Sequence, residues 1–188
     1  MQSEEVRGTM EGRGFTLAPH PEVGAVPPVR ITGGVRLQSR IFFIHFQLDG
    51  RVEEVRLPPL AETPTRRDRL WEETCFEFFI AKKNSPRYWE FNISPSGDWN
   101  AFRFSNYREG MQEERAIPSL PVRVQEAADV LLLSAECDLS RLLEAGRGID
   151  VAISAVIKTE AGEPSYWALA HAGNRPDFHR REGFQIAL

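Results

Sequence analysis

A chain of 188 residues with 41% apolar and 27% charged side chains has the length of one ordinary domain and enough apolar mass for a sizeable core. No stretch nears the ~20 consecutive apolar residues of a membrane helix. Twenty-three basic against 27 acidic residues give a net charge of −4, which does not gather phosphate backbone by long-range attraction and excludes nucleic acid as the expected partner.

The start, residues 1–14, is polar and Gly-rich and reads as a flexible tail; its first eight residues carry two acids and no apolar run, so no export signal is expected there. From residue 15 to 188, short runs of Val, Ile, Phe and Trp are broken by Gly, Pro, Asn and Asp about every ten residues, the rhythm of an all-β sandwich or barrel. In chain order, strands are expected over 15–19, 29–38, 40–48, 73–81, 88–94, 99–105, 121–126, 130–138, 151–158, 165–170 and 183–188. The loop 57–70 holds three prolines and the run Arg66-Arg67-Asp68-Arg69, and it delivers Trp71 to a strand. A short connector helix is expected over 139–145, with Asp138 as its cap, Leu139, Leu142 and Leu143 on one face and Gly146 as its stop. Two cysteines, Cys75 and Cys137, form neither a disulfide framework nor a CxxC knuckle, so reduced thiols in a cytoplasmic protein are expected.

Side chains alternate across a strand, so parity sorts residues by face. Phe76, Phe78 and Ile80 make one apolar stripe and leave Cys75, Glu77 and Phe79 opposite; Trp89, Phe91 and Ile93 leave Tyr88, Glu90 and Asn92. In the next strand Phe102 and Phe104 are taken as the core stripe, leaving Ala101, Arg103 and Ser105. If the three strands pair as a meander, Glu77, Glu90, Asn92 and Arg103 converge on one surface ringed by Phe79, Tyr88 and Trp99. Strand 40–48 repeats the pattern with His45 and Gln47 outward. A solvated sheet face held by cross-strand ion pairs alternates in the same way. The mixture of rings with planar hydrogen-bonding groups nevertheless suits a sugar, which offers apolar C–H faces and a rim of hydroxyls. Trp71, Trp99 and Trp167 are the candidate platforms, and Trp89 falls on the core parity.

The segments Arg69-Leu-Trp-Glu-Glu-Thr-Cys-Phe-Glu-Phe-Phe79, Tyr88-Trp-Glu-Phe-Asn-Ile-Ser-Pro-Ser-Gly-Asp-Trp-Asn-Ala-Phe102, Asn106-Tyr-Arg-Glu-Gly-Met111, Ser165-Tyr-Trp-Ala-Leu-Ala-His171 and Arg175-Pro-Asp-Phe-His179 resemble the DOMON-like proteins related to type 9 carbohydrate-binding modules. The resemblance runs from about Phe15 to the end and implies a two-sheet antiparallel β-sandwich of jelly-roll kind with sugar or haem ligands. It implies that Trp71 and Glu77 correspond to the first stacking Trp and its Glu, and it makes Trp167 the candidate second ring. Glu90, Asn92 and Arg103 are placed by parity.

These residues are also compatible with other chemistry. Glu77 and Glu90 could act as acid and base in glycoside cleavage, but an ion pair with Arg103 would keep both ionised and remove the proton donor. Haem would need axial ligands from Met10, Met111, His20, His45, His171 or His179, and no attachment motif accompanies them. His171, Asp177 and His179 could hold a metal, though hydrogen bonding or exposure suits them better, and acidic loops give calcium no recognisable spacing. The expectation is a non-catalytic module, without cofactor or metal, that binds a small saccharide through Trp71, Trp167, Glu77, Glu90, Asn92 and Arg103. A small hydrolase using Glu77 and Glu90, or a haem- or protein-binding sandwich, is the alternative.

Overall fold

The computed structural model describes residues 12–188 apart from 23 and 145. Residues 1–11 of the expected tail lie outside the described residues, and the chain is already extended at Arg13. The strands are β1 Arg13–Pro19, β2 Val29–Gln38, β3 Ile41–Gly50, β4 Cys75–Lys82, β5 Tyr88–Ile93, β6 Trp99–Phe104, β7 Gln112–Glu113, β8 Val122–Ala127, β9 Val130–Asp138, β10 Ile149–Lys158, β11 Pro164–Ala168 and β12 Ile186–Ala187. Each expected strand has a counterpart, though the last, expected over 183–188, shrinks to the two residues of β12 because Arg181–Gly183 form a single 3-10 turn. β7 was not expected, because two residues are too few to alternate.

All pairs are antiparallel, in the order β7-β6-β5-β4-β10-β11-β1-β2-β3-β9-β8, with β12 also on β10. β1 serves both sheets: Arg13 to Leu17 pair with β2, and Ala18 and Pro19 pair with β11. One continuous sheet thereby curls into two layers, giving the all-β sandwich. Ser39 and Arg40 join β2 to β3 with φ of 50° and 68°, the mirror-image two-residue turn whose twist matches its strands. Gly33 is forced by close approach: a Cβ there would sit 2.1 Å from the His45 carbonyl oxygen and 2.4 Å from the Phe15 ring.

The connector helix does not form. Asp138 does accept the Ser140 amide at 2.8 Å, and the Leu142 and Leu143 amides reach the Leu139 carbonyl at 2.9 and 2.8 Å, but the chain turns only once. So short a segment cannot repay helix nucleation; burial of its three leucines fixes the turn instead. Residue 145 lies outside the described residues.

Phe42, Ile44, Phe46 and Leu48 of β3 meet Phe76, Phe78 and Ile80 of β4 between the layers. Phe78 lies parallel to Phe91 at 4.4 Å and stacks on Phe42 at 5.0 Å across the sandwich. A second apolar cluster, Phe79, Ala81, Tyr88, Phe102, Phe104 and Ala152, lies on the outer face of the same sheet under Trp71, Phe178 and Phe184. That sheet is therefore covered on both faces, whereas β3 alternates buried and open residues. Phe78→Ala should destabilise by about 3 to 5 kcal/mol, read from the denaturant midpoint. Phe43→Ala, on the open face of β3, should lose clearly less.

Candidate functional site

Register fixes which side chains share the outer face. Glu77 stands opposite Asn92 on one side and Ser154 on the other. Glu90 stands opposite Phe79 and Phe102, and Tyr88 opposite Ala81 and Phe104. Glu77 and Glu90 are thus diagonal cross-strand neighbours, within reach of a shared ligand or of each other's field. The parity expected for β4 and β5 and their meander with β6 are as the structure has them.

Three expected members, Arg103, Trp99 and Trp167, lie elsewhere. Arg103 is opposite Trp89, on the other face of the sheet, where it bonds Gln112 and lies 3.9 Å from Glu114. The reason is that Phe102 and Phe104, read as core, pack outward; Tyr88 lies parallel to Phe104 at 4.7 Å, and Ala101 and Trp99 take the inter-sheet side. Trp167 pairs with Ala155 and is 3% exposed in the main core, its indole donating to Ser165 Oγ at 2.9 Å. Its neighbour Tyr166 faces the site instead.

A cavity of about 370 Å³ opens over Glu77 and Glu90. Trp71, Tyr166, Phe178, Phe104 and Met111 supply its apolar walls, and Arg108 and His179 its remaining polar groups. Trp71 rides on a single turn, Leu70–Glu72, entered through a left-handed Arg69, and meets Phe102 edge-on at 5.8 Å. Tyr166 and Phe178 are 6.2 Å apart and inclined at 54°. Asn92 is fully buried beneath, so it supports Glu90 and does not line the cavity.

The polar groups are individually held. Asn92 donates to Glu90 Oε1 at 2.9 Å, and Ser154 Oγ donates to Glu77 Oε2 at 3.0 Å. The Arg108 amide donates to the Tyr88 hydroxyl at 3.1 Å, so that hydroxyl's own proton goes to His179 Nδ1, 2.8 Å away. This assigns the imidazole N–H to Nε2, which faces Glu90 Oε2 at 3.8 Å. Arg108 also forks onto Asp177 Oδ1 at 2.9 and 3.2 Å, and Tyr107 bonds the same carboxylate. Arg108 carried no periodicity signal; only its place in the turn Asn106-Tyr-Arg-Glu-Gly110 marked it.

Burial sets the charges. Glu77 and Glu90, 3% and 5% exposed, are both raised: Glu77 to about 8, by desolvation and then repulsion from Glu90, and Glu90 to about 6 by desolvation against the Asn92 hydrogen bond. Desolvation and then Arg108 press His179 down to about 4, leaving it neutral. Cys75 is raised by burial and by Glu77, the environment of an inert thiol. Histidine, cysteine and carboxylate groups do not gather in threes as a metal site among the described residues. His171 in particular does not join His179: its Nε2 donates to the Ala18 carbonyl at 2.8 Å, and its ring packs edge-on to His20.

No protein-family model matches the chain. The curated proteins give no match either. Several solved structures are similar in fold. One is a protein from Bacteroides uniformis provisionally described as carbohydrate-binding, with a TM-score of 0.64 and 14% identity over 90% of this chain and 84% of that one. Another is a family 9 carbohydrate-binding module from Caldicellulosiruptor kristjanssonii in complex with glucose, with a TM-score of 0.51 and 12% identity over 92% and 82%. At these identities the likeness concerns the fold.

The pKa pattern fixes a pH slope. An unfolded Glu titrates near about 4.3, so between there and about 8 the folded chain holds a proton the unfolded chain has released. This contribution is full below the unfolded value and is lost as pH rises through the folded one. His179 opposes it only below about pH 6.5, where the unfolded imidazole takes up a proton. Above about pH 6.5 the carboxylate slope is joined only near about pH 8, and with the same sign, by the buried thiols of Cys75 and Cys137, which hold protons that unfolded thiols release. Stability by urea unfolding should fall from about pH 6.5 to 8.5, and Glu77→Gln should flatten the lower part of the fall. A wild-type stability that rises over that interval would contradict the assignment.

Proposed function

We propose that this chain is a non-catalytic binding module for a small saccharide, related to family 9 modules through the DOMON-like proteins its motifs resemble. One observation carries the reading: flat rings and a pair of buried, differently protonated carboxylates line a single cavity of about 370 Å³, within the roughly 300 to 1,000 Å³ range of small-molecule sites. Each sugar hydroxyl both donates and accepts. A protonated Glu77 supplies both roles, an ionised Glu90 accepts, and Arg108 and His179 Nε2–H donate. Trp71 offers the platform for the C–H face of the ring. The fold it shares with a module whose structure contains glucose supports the same ligand class.

A glycan array followed by calorimetry tests this. Trp71→Ala should weaken binding by about tenfold or more, and Arg103→Ala, on the opposite face, should not change it. Identical profiles for wild type and Trp71→Ala would remove the stacking role and with it the site.

A second reading, hydrolysis, is favoured by the split protonation of the pair. Glu77 could deliver a proton to a glycosidic oxygen while Glu90 takes one from water, the division of labour that acid-base cleavage needs. Reducing ends released from cello-oligosaccharides by wild type and not by Glu77→Gln would select it; intact oligosaccharides would leave binding as the function.

A further inference from the structure

We infer that the saccharide held in this cavity carries an anionic group, a carboxylate or a phosphate, which lodges on a guanidinium rim formed by Arg108, Arg175 and Arg180. The inference rests on the saccharide reading above and adds the ligand's charge. An open depression lined by Arg108, Arg180 and the Gly173-to-Asp177 segment adjoins the cavity and shares Arg108 with it.

Three guanidinium groups there meet one carboxylate, Asp177, which lies 2.9 Å from Arg108 and 3.5 Å from Arg180. Arg175 is exposed and has no ion pair or hydrogen bond among the described residues. Counting also the ionised Glu90 on the cavity floor, whose charge Arg108 faces, the site is left with one uncompensated positive charge on a chain whose net charge is −4. A local excess opposite in sign to the whole protein is a recognition feature for an anion.

Arg108 spends Nε and Nη2 on Asp177, and Arg180 spends Nη1 on the Ala172 carbonyl at 2.9 Å, so one amino edge of each remains free for a ligand. The Gly173 carbonyl is taken by His20 Nε2 at 3.1 Å, and His20 is itself oriented by the Glu22 amide on Nδ1. The guanidinium edges, held in place by Asp177 and the Ala172 carbonyl, form a preorganised anion site that needs little reordering on binding.

Placement then orients the ligand. Carboxylates occupy the floor and cations the rim, so an acidic sugar enters with its hydroxyls toward Glu77 and Glu90 and its charge outward. A neutral sugar leaves the rim unused, and a free anion forgoes stacking on Trp71.

The test compares glucose, glucuronate and glucose 6-phosphate, with inorganic phosphate alone as a fourth probe, by calorimetry at low salt. Wild type should bind at least one acidic sugar about tenfold more tightly than glucose, the range of one charge-assisted contact; which of the two wins distinguishes carboxylate from phosphate. Arg175→Ala should reduce that preference and Arg175→Glu should reverse it, with unchanged melting temperatures, and about 0.5 M salt should shrink it. Equal binding of glucose and both acids, a preference indifferent to Arg175, or phosphate binding as tightly as glucose 6-phosphate would overturn the anionic rim while leaving the saccharide reading standing. Binding of none of the four probes, together with a blank glycan array, would instead remove the saccharide reading itself.

Discussion

Two carboxylates on a sheet covered on both faces constrain everything else in the site. Every residue of β5, and of β4 up to Ala81, is buried, so neither Glu77 nor Glu90 can rely on water to carry its charge. Such a group must be neutralised or hydrogen-bonded. The surroundings do both: Ser154 and Asn92 each donate to one carboxylate, and desolvation, with repulsion from Glu90 added to it, keeps Glu77 protonated at ordinary pH. The same coverage holds His179 neutral and pushes the Tyr88 hydroxyl up to about 12, mainly through desolvation, so it stays a proton donor.

What covers the sheet is loop, and the loops are ordered by side chains. Asp177 gathers Tyr107, Arg108, Arg180 and its own neighbour's amide at His179, tying the turn after β6 to the segment before β12. The proline-containing loop before β4 is pinned from β6 and its approach: Asp98 accepts the Thr65 amide at 2.8 Å, and Asn100 donates to the Arg67 carbonyl at 3.0 Å and to Asp68 at 2.9 Å. Arg66 stacks over Trp99 at 4.2 Å and donates to Asn100 and to the carbonyl of Ile117. The run Arg66-Arg67-Asp68-Arg69, which in sequence looks like a solvated charge cluster, is the fastening that brings Trp71 over Glu77.

The strands and the facing of β4 and β5 were legible because period-2 alternation there coincides with a core on one side. β6 and β11 misled for a definable reason. Alternation tells which residues share a face; it does not tell which face is the core. At β6 the bulkier stripe, Phe102 and Phe104, faces the site, and the core side is filled by Ala101 and Trp99. At β11 Tyr166 and Trp167 are adjacent aromatics, so a register read one residue out exchanges a core ring for a site ring. Arg108, Asp177 and His179 come from irregular backbone, where no period exists and only tertiary contact assembles them.

The exchange of Trp167 for Tyr166 changes how the cavity can grip. Two parallel indoles would hold a ring by stacking from both sides, and affinity would then rest largely on apolar contact. Here the cavity has one indole, Trp71, and its Tyr166 and Phe178 rings are inclined to each other at 54°, so they cannot both lie parallel to a ring stacked on Trp71. Part of the discrimination must therefore come from hydrogen bonds at the floor, where a protonated and an ionised carboxyl sit side by side in low dielectric and an unmatched hydroxyl leaves a buried polar group unpaired. On the saccharide reading proposed above, selectivity of that kind depends on the charge state of Glu77, and that charge state depends on the burial that the loops held by Asp177 complete.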